Sequence, residues 1–313
     1  MAAHGSEIEI DDKTAELLQN RIEEILKKKG NNTYLIGRLK RLGIPFLFGA
    51  VIIAPLAFYP SFMKGASIDS SPYLSTFFTS DGWPVGPPWF LWVLLTFDLL
   101  LVMLVKIKSI TFERLSSHLS PFVIYLVTII SFLPFNMIGS HYYWWTPLGP
   151  FDLQPVRIGL YFTYFLIGAI LGTGQQWRQN GWPKGWGYWL PIGFFSFIAY
   201  MVLMAEAISL PEFTQTLLLG ITFASSCAGT TLGLLGLFRK IVHKQLAVVD
   251  NLVNNAYGIY LIHYAAVIWL QYLLLPVSWP VSLKFLSAFI GGLLISLGIT
   301  TVIRKIPAAR QIL

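Results

Sequence analysis

The stretch Asn255–Leu275, NAYGIYLIHYAAVIWLQYLLL, decides how the chain is read. It is apolar over the ~20 residues a helix needs to cross a hydrocarbon core, yet it carries a histidine, His263, near its middle. Tyr257, Tyr260 and Tyr264 recur at helical spacing and form one stripe, with His263 beside it. A helix facing only lipid has no use for such a stripe. Ionisable side chains at membrane depth face a bundle interior, where they serve a site or hydrogen-bond a neighbouring helix. Both readings of His263 are open on sequence alone.

Working outward, the 313-residue chain is 55% hydrophobic and only 12% charged, with mean hydropathy +0.63. Soluble domains carry about 25% charged residues, so a soluble fold is excluded. The expectation is an all-α, polytopic membrane helix bundle. Apolar segments at about 44–60, 89–107, 120–139, 156–174, 187–207, 213–237, 253–275 and 279–303 give about eight spans. Pro45 and Pro55 interrupt the first, making it the weakest. The sixth is rich in Gly, Ala, Ser and Thr, which lets helices approach closely and places it inside the bundle. The eleven tryptophans suit two membrane interfaces. The single cysteine, Cys227, excludes an intrachain disulfide.

Residues 1–43 are polar and lack the apolar core of a cleavable signal peptide. Within them an amphipathic helix is expected at about 12–29, capped by Asp11 or Asp12. Its basic end suits anionic headgroups. The membrane domain then runs 44–305, with a tail at 306–313. With the N-terminus inside, the inner segments hold all the basic residues except Lys64, Arg157 and Lys284. Both termini are therefore expected to be cytoplasmic, and the net charge of +7 answers the membrane rather than a nucleic acid. The expected location is a bacterial-type cytoplasmic membrane.

Asp98 lies in WFLWVLLTFDLLLVML, about 14 Å from Trp89 at the 1.5 Å rise of a helix. A carboxylate at that depth requires a partner. The candidates are His263, a tyrosine of the 257/260/264 stripe, or Arg157. Whether Asp98 is catalytic or joins two helices is open. Arg157, near the outer end of its span, either snorkels or binds an acidic group of a substrate. The outer loop GSHYYWWTPLGPFDLQP is an interfacial aromatic belt or a platform on which sugar rings stack, with His141 and Asp152 as polar members. No GxSxG, Walker, HExxH or CxxC motif occurs, and no metal site is expected.

Three stretches together resemble the integral-membrane acyltransferase family 3, which includes O-antigen acetylases and glucan succinyltransferases. They are the basic stretch ending R-x-x-R-L-x-I-P-F (Arg38, Arg41, Pro45), GPPWFLWVLL (Gly86, Trp89, Phe90, Leu91) and NAYGIYLIHY (Tyr257, Gly258, Tyr260, His263). The resemblance covers roughly residues 26–305. It implies transfer of an acetyl or succinyl group from acyl-CoA, a co-substrate and not a resident cofactor, to a hydroxyl of a membrane-linked or exported carbohydrate. On that pattern His263 and Asp98 are the catalytic candidates. Trp89, Tyr257, Tyr260, Tyr264 and Arg157 would bind substrate, and Arg38 and Arg41 the acyl-CoA. The family's first two helices, with an arginine and a catalytic histidine, have no counterpart here. The expectation is a truncated or split member whose partner supplies them, an enzyme that works without them with His263 orienting the substrate or serving as substitute base, an inactive chain, or a non-catalytic transporter or scaffold for a glycan or acyl intermediate.

Overall fold

The computed structural model describes residues 30–65, 72–79, 83–107, 115–139, 143–146, 148–173, 183, 185–205, 210–241, 247–310 and 312. The amphipathic helix expected at about 12–29, with Asp11 and Asp12, and His141 lie outside them. The regular secondary structure among the described residues is helical, with no strand; one isolated antiparallel bridge joins Trp145 and Leu153. The all-α polytopic membrane fold expected from the sequence is the fold observed.

Seven helices are long and apolar enough to cross a membrane, and Trp89–Leu104 is a shorter apolar segment. Together they correspond to the eight expected spans. We label the helices α1 (Gly30–Gly65, including two π-turns), α2 (Tyr73–Thr79), α3 (Trp89–Ile107), α4 (Pro121–Ile138), α5 (Pro155–Thr173), α6 (Trp186–Met204), α7 (Glu212–Ile241), α8 (Ala247–Leu274), α9 (Val281–Ile303) and α10 (Pro307–Arg310). Two compact units divide the chain. The first is Met1–Tyr34, Leu101–Tyr143 and Gln154–Lys244; the second is Leu35–Leu100, Trp144–Leu153 and Gln245–Leu313.

In the first unit, α7 packs on α6 and α4, and α4 on α5. Glycines make the closest approach possible: a Cβ on Gly193 of α6 would sit 2.5 Å from the Thr230 backbone nitrogen of α7, and one on Gly229 would meet Gly193 in return. The small-residue face of this span is therefore buried, as its composition implied. Ser120 caps α4 by accepting from the Val123 N–H (3.2 Å), with Pro121 at the first helical position.

The second unit is organised by α1, which departs from expectation. The apolar segment expected to begin at 44 and to be the weakest is the distal part of a membrane helix spanning Thr33–Gly65. The boundary drawn at residue 43 falls inside it. The prolines do not break this helix because π-turns at Leu39–Gly43 and Gly49–Ile53 precede Pro45 and Pro55 and widen the backbone just before each ring. Each proline still removes one backbone donor, and in a membrane no water replaces it. Pro45 lacks the N–H that a regular helix would aim at the Arg41 carbonyl; the Tyr257 hydroxyl donates there instead (2.5 Å). Pro60 likewise frees the Leu56 carbonyl, and the Trp269 indole N–H donates to it (2.9 Å). Tyr73 of α2 donates to the Pro55 carbonyl (2.6 Å), and burial pushes its phenol up to about 12, keeping the donor proton in place.

Trp269→Phe keeps an aromatic ring beside Tyr59 but removes the indole N–H together with the five-membered ring that carries it. The expected loss is about 1–3 kcal/mol, the cost of an acceptor left unsatisfied where the membrane offers no water to replace the donor. In a Pro60→Ala background the same change costs less, because the alanine N–H serves Leu56. Unfolding titrations in mixed micelles measure both; equal losses in the two backgrounds contradict the argument.

Candidate functional site

Eight of the nine candidate residues fall in the second unit: Arg38, Arg41, Trp89, Asp98, Tyr257, Tyr260, His263 and Tyr264. Arg157 belongs to the first.

The tyrosine stripe of α8 clamps the segment that leads into α3. Gly86 adopts a left-handed conformation (φ 66°), and a Cβ there would press on the Tyr264 ring at 3.0 Å. A Cβ on Gly49 of α1 would collide with Pro88 at 2.7 Å. This approach to the membrane helix is therefore pinned between α1 and α8 by two positions that admit only glycine without displacement. The Tyr260 hydroxyl donates to the Pro87 carbonyl at the head of α3. Tyr257 holds Arg41, and Tyr264 packs on Phe58 with ring centroids 5.7 Å apart. All three tyrosines thus face protein. Around them Leu42, Phe46, Ala50, Leu91, Leu261 and Ile262 are buried in one cluster, with Trp89 packed against it.

His263 sits one turn beyond Tyr260, and its Nδ1 lies 2.8 Å from the Tyr260 carbonyl and 3.2 Å from the Ile259 carbonyl. A carbonyl only accepts, so Nδ1 is the donor in this arrangement and Nε2 is the ring nitrogen that the backbone does not engage. The backbone of α8 therefore fixes both tautomer and ring orientation. The side chain is half-buried.

Asp98 is 1% exposed and carries an ion pair with Arg38, Nε to Oδ1 3.3 Å. The expectation of a buried, partnered carboxylate holds. The cation is the first arginine of the R-x-x-R stretch, which was not among the partners expected. That arginine reaches Asp98 because the helix carrying it begins well before the boundary drawn at 43. The Arg41 side chain is exposed.

Arg157 lies with its guanidinium over the Phe223 ring (5.4 Å), its Nε buried without a hydrogen-bond partner.

Sequence reasoning missed the cap on the outer loop of the second unit. The Trp145–Leu153 bridge folds Trp144–Leu153 back on itself, and Gly149 (φ 49°) lies against Trp83. Trp144 meets Trp89 edge-on at 5.3 Å, Phe151 meets Phe46 and Trp92, and the Trp92 indole donates to the Asp152 carbonyl (2.9 Å). Among the described residues, two buried polar atoms in this cap have no hydrogen-bond partner: Trp83 Nε1, a donor, and Asp152 Oδ1, an acceptor. The density of Trp and Pro in both outer loops was the available signal, but it does not say which rings meet.

Burial pushes the Asp152 carboxyl above its ordinary value, and the Thr146 side chain and Val85 backbone offset only part of that. A raised carboxyl favours the folded state when protonated. Its contribution is fully present below about pH 4, the ordinary aspartate value, and is lost as pH rises through the elevated one. Asp152→Asn should therefore stabilise the protein at pH 7, with the difference vanishing at about pH 4. Unfolding titrations at the two pH values check this; a variant less stable than the parent at pH 7 refutes it.

The fold is that of a polytopic membrane protein. Residues 18–304 match the model of acyltransferase family 3, described as an acyltransferase domain, and the chain belongs to that family as a membrane acyltransferase. No curated protein and no solved structure matches the chain.

Proposed function

We propose that the protein transfers an acetyl or succinyl group from acyl-CoA to a hydroxyl of a membrane-linked or exported carbohydrate, with His263 as general base. The observation that carries this reading is the hydrogen bonding of His263. With Nδ1 committed to the Tyr260 and Ile259 carbonyls, Nε2 is the basic nitrogen. Nε2 removes the acceptor hydroxyl proton as that oxygen attacks the thioester carbonyl. The tetrahedral intermediate collapses, the C–S bond breaks, and the imidazolium returns the proton to the leaving thiolate. The products are the acyl ester and free CoA.

The aromatic cap supports a sugar acceptor. Trp144 and Trp145 are about half exposed (46% and 48%) and offer ring faces. Trp83 Nε1 and Asp152 Oδ1 supply an unused donor and an unused acceptor, the pair a sugar hydroxyl satisfies. Arg41 supports attraction of an anionic donor at the inner face. Asp98 holds Arg38 in place, and Arg157 binds an acidic group on the substrate.

Membranes containing the chain, supplied with radiolabelled acetyl- or succinyl-CoA and cell-envelope glycan, should yield label in an alkali-labile glycan ester. A co-expressed two-helix segment bearing the family's arginine and histidine forms a second arm. Absence of ester in both arms refutes the proposal.

A further inference from the structure

We propose that the cleft where α8 begins and α9 ends is a phosphate-binding site. Its volume is about 790 Å³, and Asn251, Asn254, Asn255, Arg304, Lys305 and Arg310 line it. Three of these carry positive charge, and no residue lining the cleft is acidic. Asp250, the nearest carboxylate in sequence, is exposed in the first turn of α8 and is not part of the lining.

The site is built rather than a scatter of surface charge. Asn255 is 4% exposed, and its amide nitrogen donates to both the Asn251 carbonyl (2.8 Å) and Oδ1 (2.7 Å). That fixes the amide so that Oδ1 faces Arg304 Nη1 at 3.4 Å, and the same nitrogen donates to the Asn254 carbonyl. One edge of the guanidinium is therefore held by α8. Its remaining N–H groups have no protein partner among the described residues, and they form the fork geometry that suits a phosphate. Lys305 and Arg310 are exposed and add mobile charge at the rim. Just beyond, Gly258 meets Thr300, so closely that a Cβ would lie 2.2 Å from its methyl; this locks α8 to α9 and fixes the cleft's depth.

Two sources supply this chemistry: the phosphates of the acyl donor and a lipid headgroup. The placement fits the first. Asn255 and His263 lie on one helix, about 12 Å apart along its axis, and an extended pantetheine arm covers that distance. This assignment of source rests on the acyl-CoA reading above; the phosphate site itself does not.

The test is direct binding without turnover. The full-length chain is placed in phosphatidylcholine nanodiscs and titrated with radiolabelled CoA and, separately, inorganic pyrophosphate. Both should bind, and Lys305→Glu/Arg310→Glu should weaken both at least tenfold while the folded yield stays unchanged. Lys64→Glu, at the far end of α1, should leave binding intact. Arg304→Gln should abolish binding; because Arg304 also holds α8, the rim variant decides the matter if that one misfolds. If only phosphatidylglycerol nanodiscs protect Arg310 from trypsin, and protection is lost in Lys305→Glu, the site stands with a headgroup as its phosphate. No binding of CoA, pyrophosphate or anionic lipid, or binding indifferent to the rim charges, overturns it. CoA binding without acyl transfer would count against the acyltransfer mechanism and not against the cleft.

Discussion

Arg38→Ala lowers stability by about 3–5 kcal/mol, the cost of leaving one member of a buried ion pair behind. The pair is unequal. The Asp98 side chain is 2% exposed, whereas that of Arg38 is 39% exposed. Removing the arginine takes the cation from a carboxylate that cannot move toward water. Removing the aspartate leaves a long cation that can straighten toward the inner boundary. Asp98→Ala should therefore cost clearly less than Arg38→Ala. Replacing both at once, Arg38→Met with Asp98→Leu, should recover most of the loss, since apolar side chains of similar volume often substitute for a buried pair without penalty. A double-mutant cycle by unfolding in mixed micelles measures the coupling. A cost for Arg38→Ala within about 0.5 kcal/mol, as for an ordinary surface substitution, would mean that the pair does not hold α1 to α3.

That pair also marks the limit of what the sequence discloses. A lone aspartate in WFLWVLLTFDLLLVML announces a buried partner by its cost alone, and the partner exists. Which cation it takes depends on how far α1 reaches. Hydropathy ends that helix near residue 44 because Arg38, Lys40 and Arg41 interrupt the apolar run, and Pro45 and Pro55 appear to forbid continuity. The backbone instead absorbs both prolines in π-turns, a response with no sequence signature of its own. The spans that follow were legible because each is a long apolar run between polar loops. The packing face of α7 was legible because Gly and Ala leave few alternatives. The α8 stripe was visible as a period; its partners, the Arg41 and Pro87 carbonyls, were not, although a proline four residues after Arg41 is a usable sign of a carbonyl in need of a donor. Arg157 shows another limit: its charge and depth were legible, but the ring it lies over, Phe223, was not.

His263→Ala lowers acyl transfer by about 10²–10⁴-fold, the range that a positioned general base contributes, while folded yield changes little. The second half of this expectation follows from what the ring touches. Its hydrogen bonds run to carbonyls of its own helix, one turn back, so its loss returns those carbonyls to ordinary helical bonding and breaks no hydrogen bond between helices. The tyrosines beside it behave in the opposite way. Tyr260→Phe removes the donor to the Pro87 carbonyl, and the segment it clamps carries Trp89 into the site. That change should disturb stability and activity together. His263→Gln separates positioning from proton transfer: its amide N–H can still reach a backbone carbonyl, but it supplies no basic nitrogen. It should be as inactive as alanine. Transfer rates measured with the same labelled acyl-CoA for the three variants, each normalised to folded protein, give the comparison. A glutamine variant that retains transfer would assign His263 to structure and remove it from the chemistry.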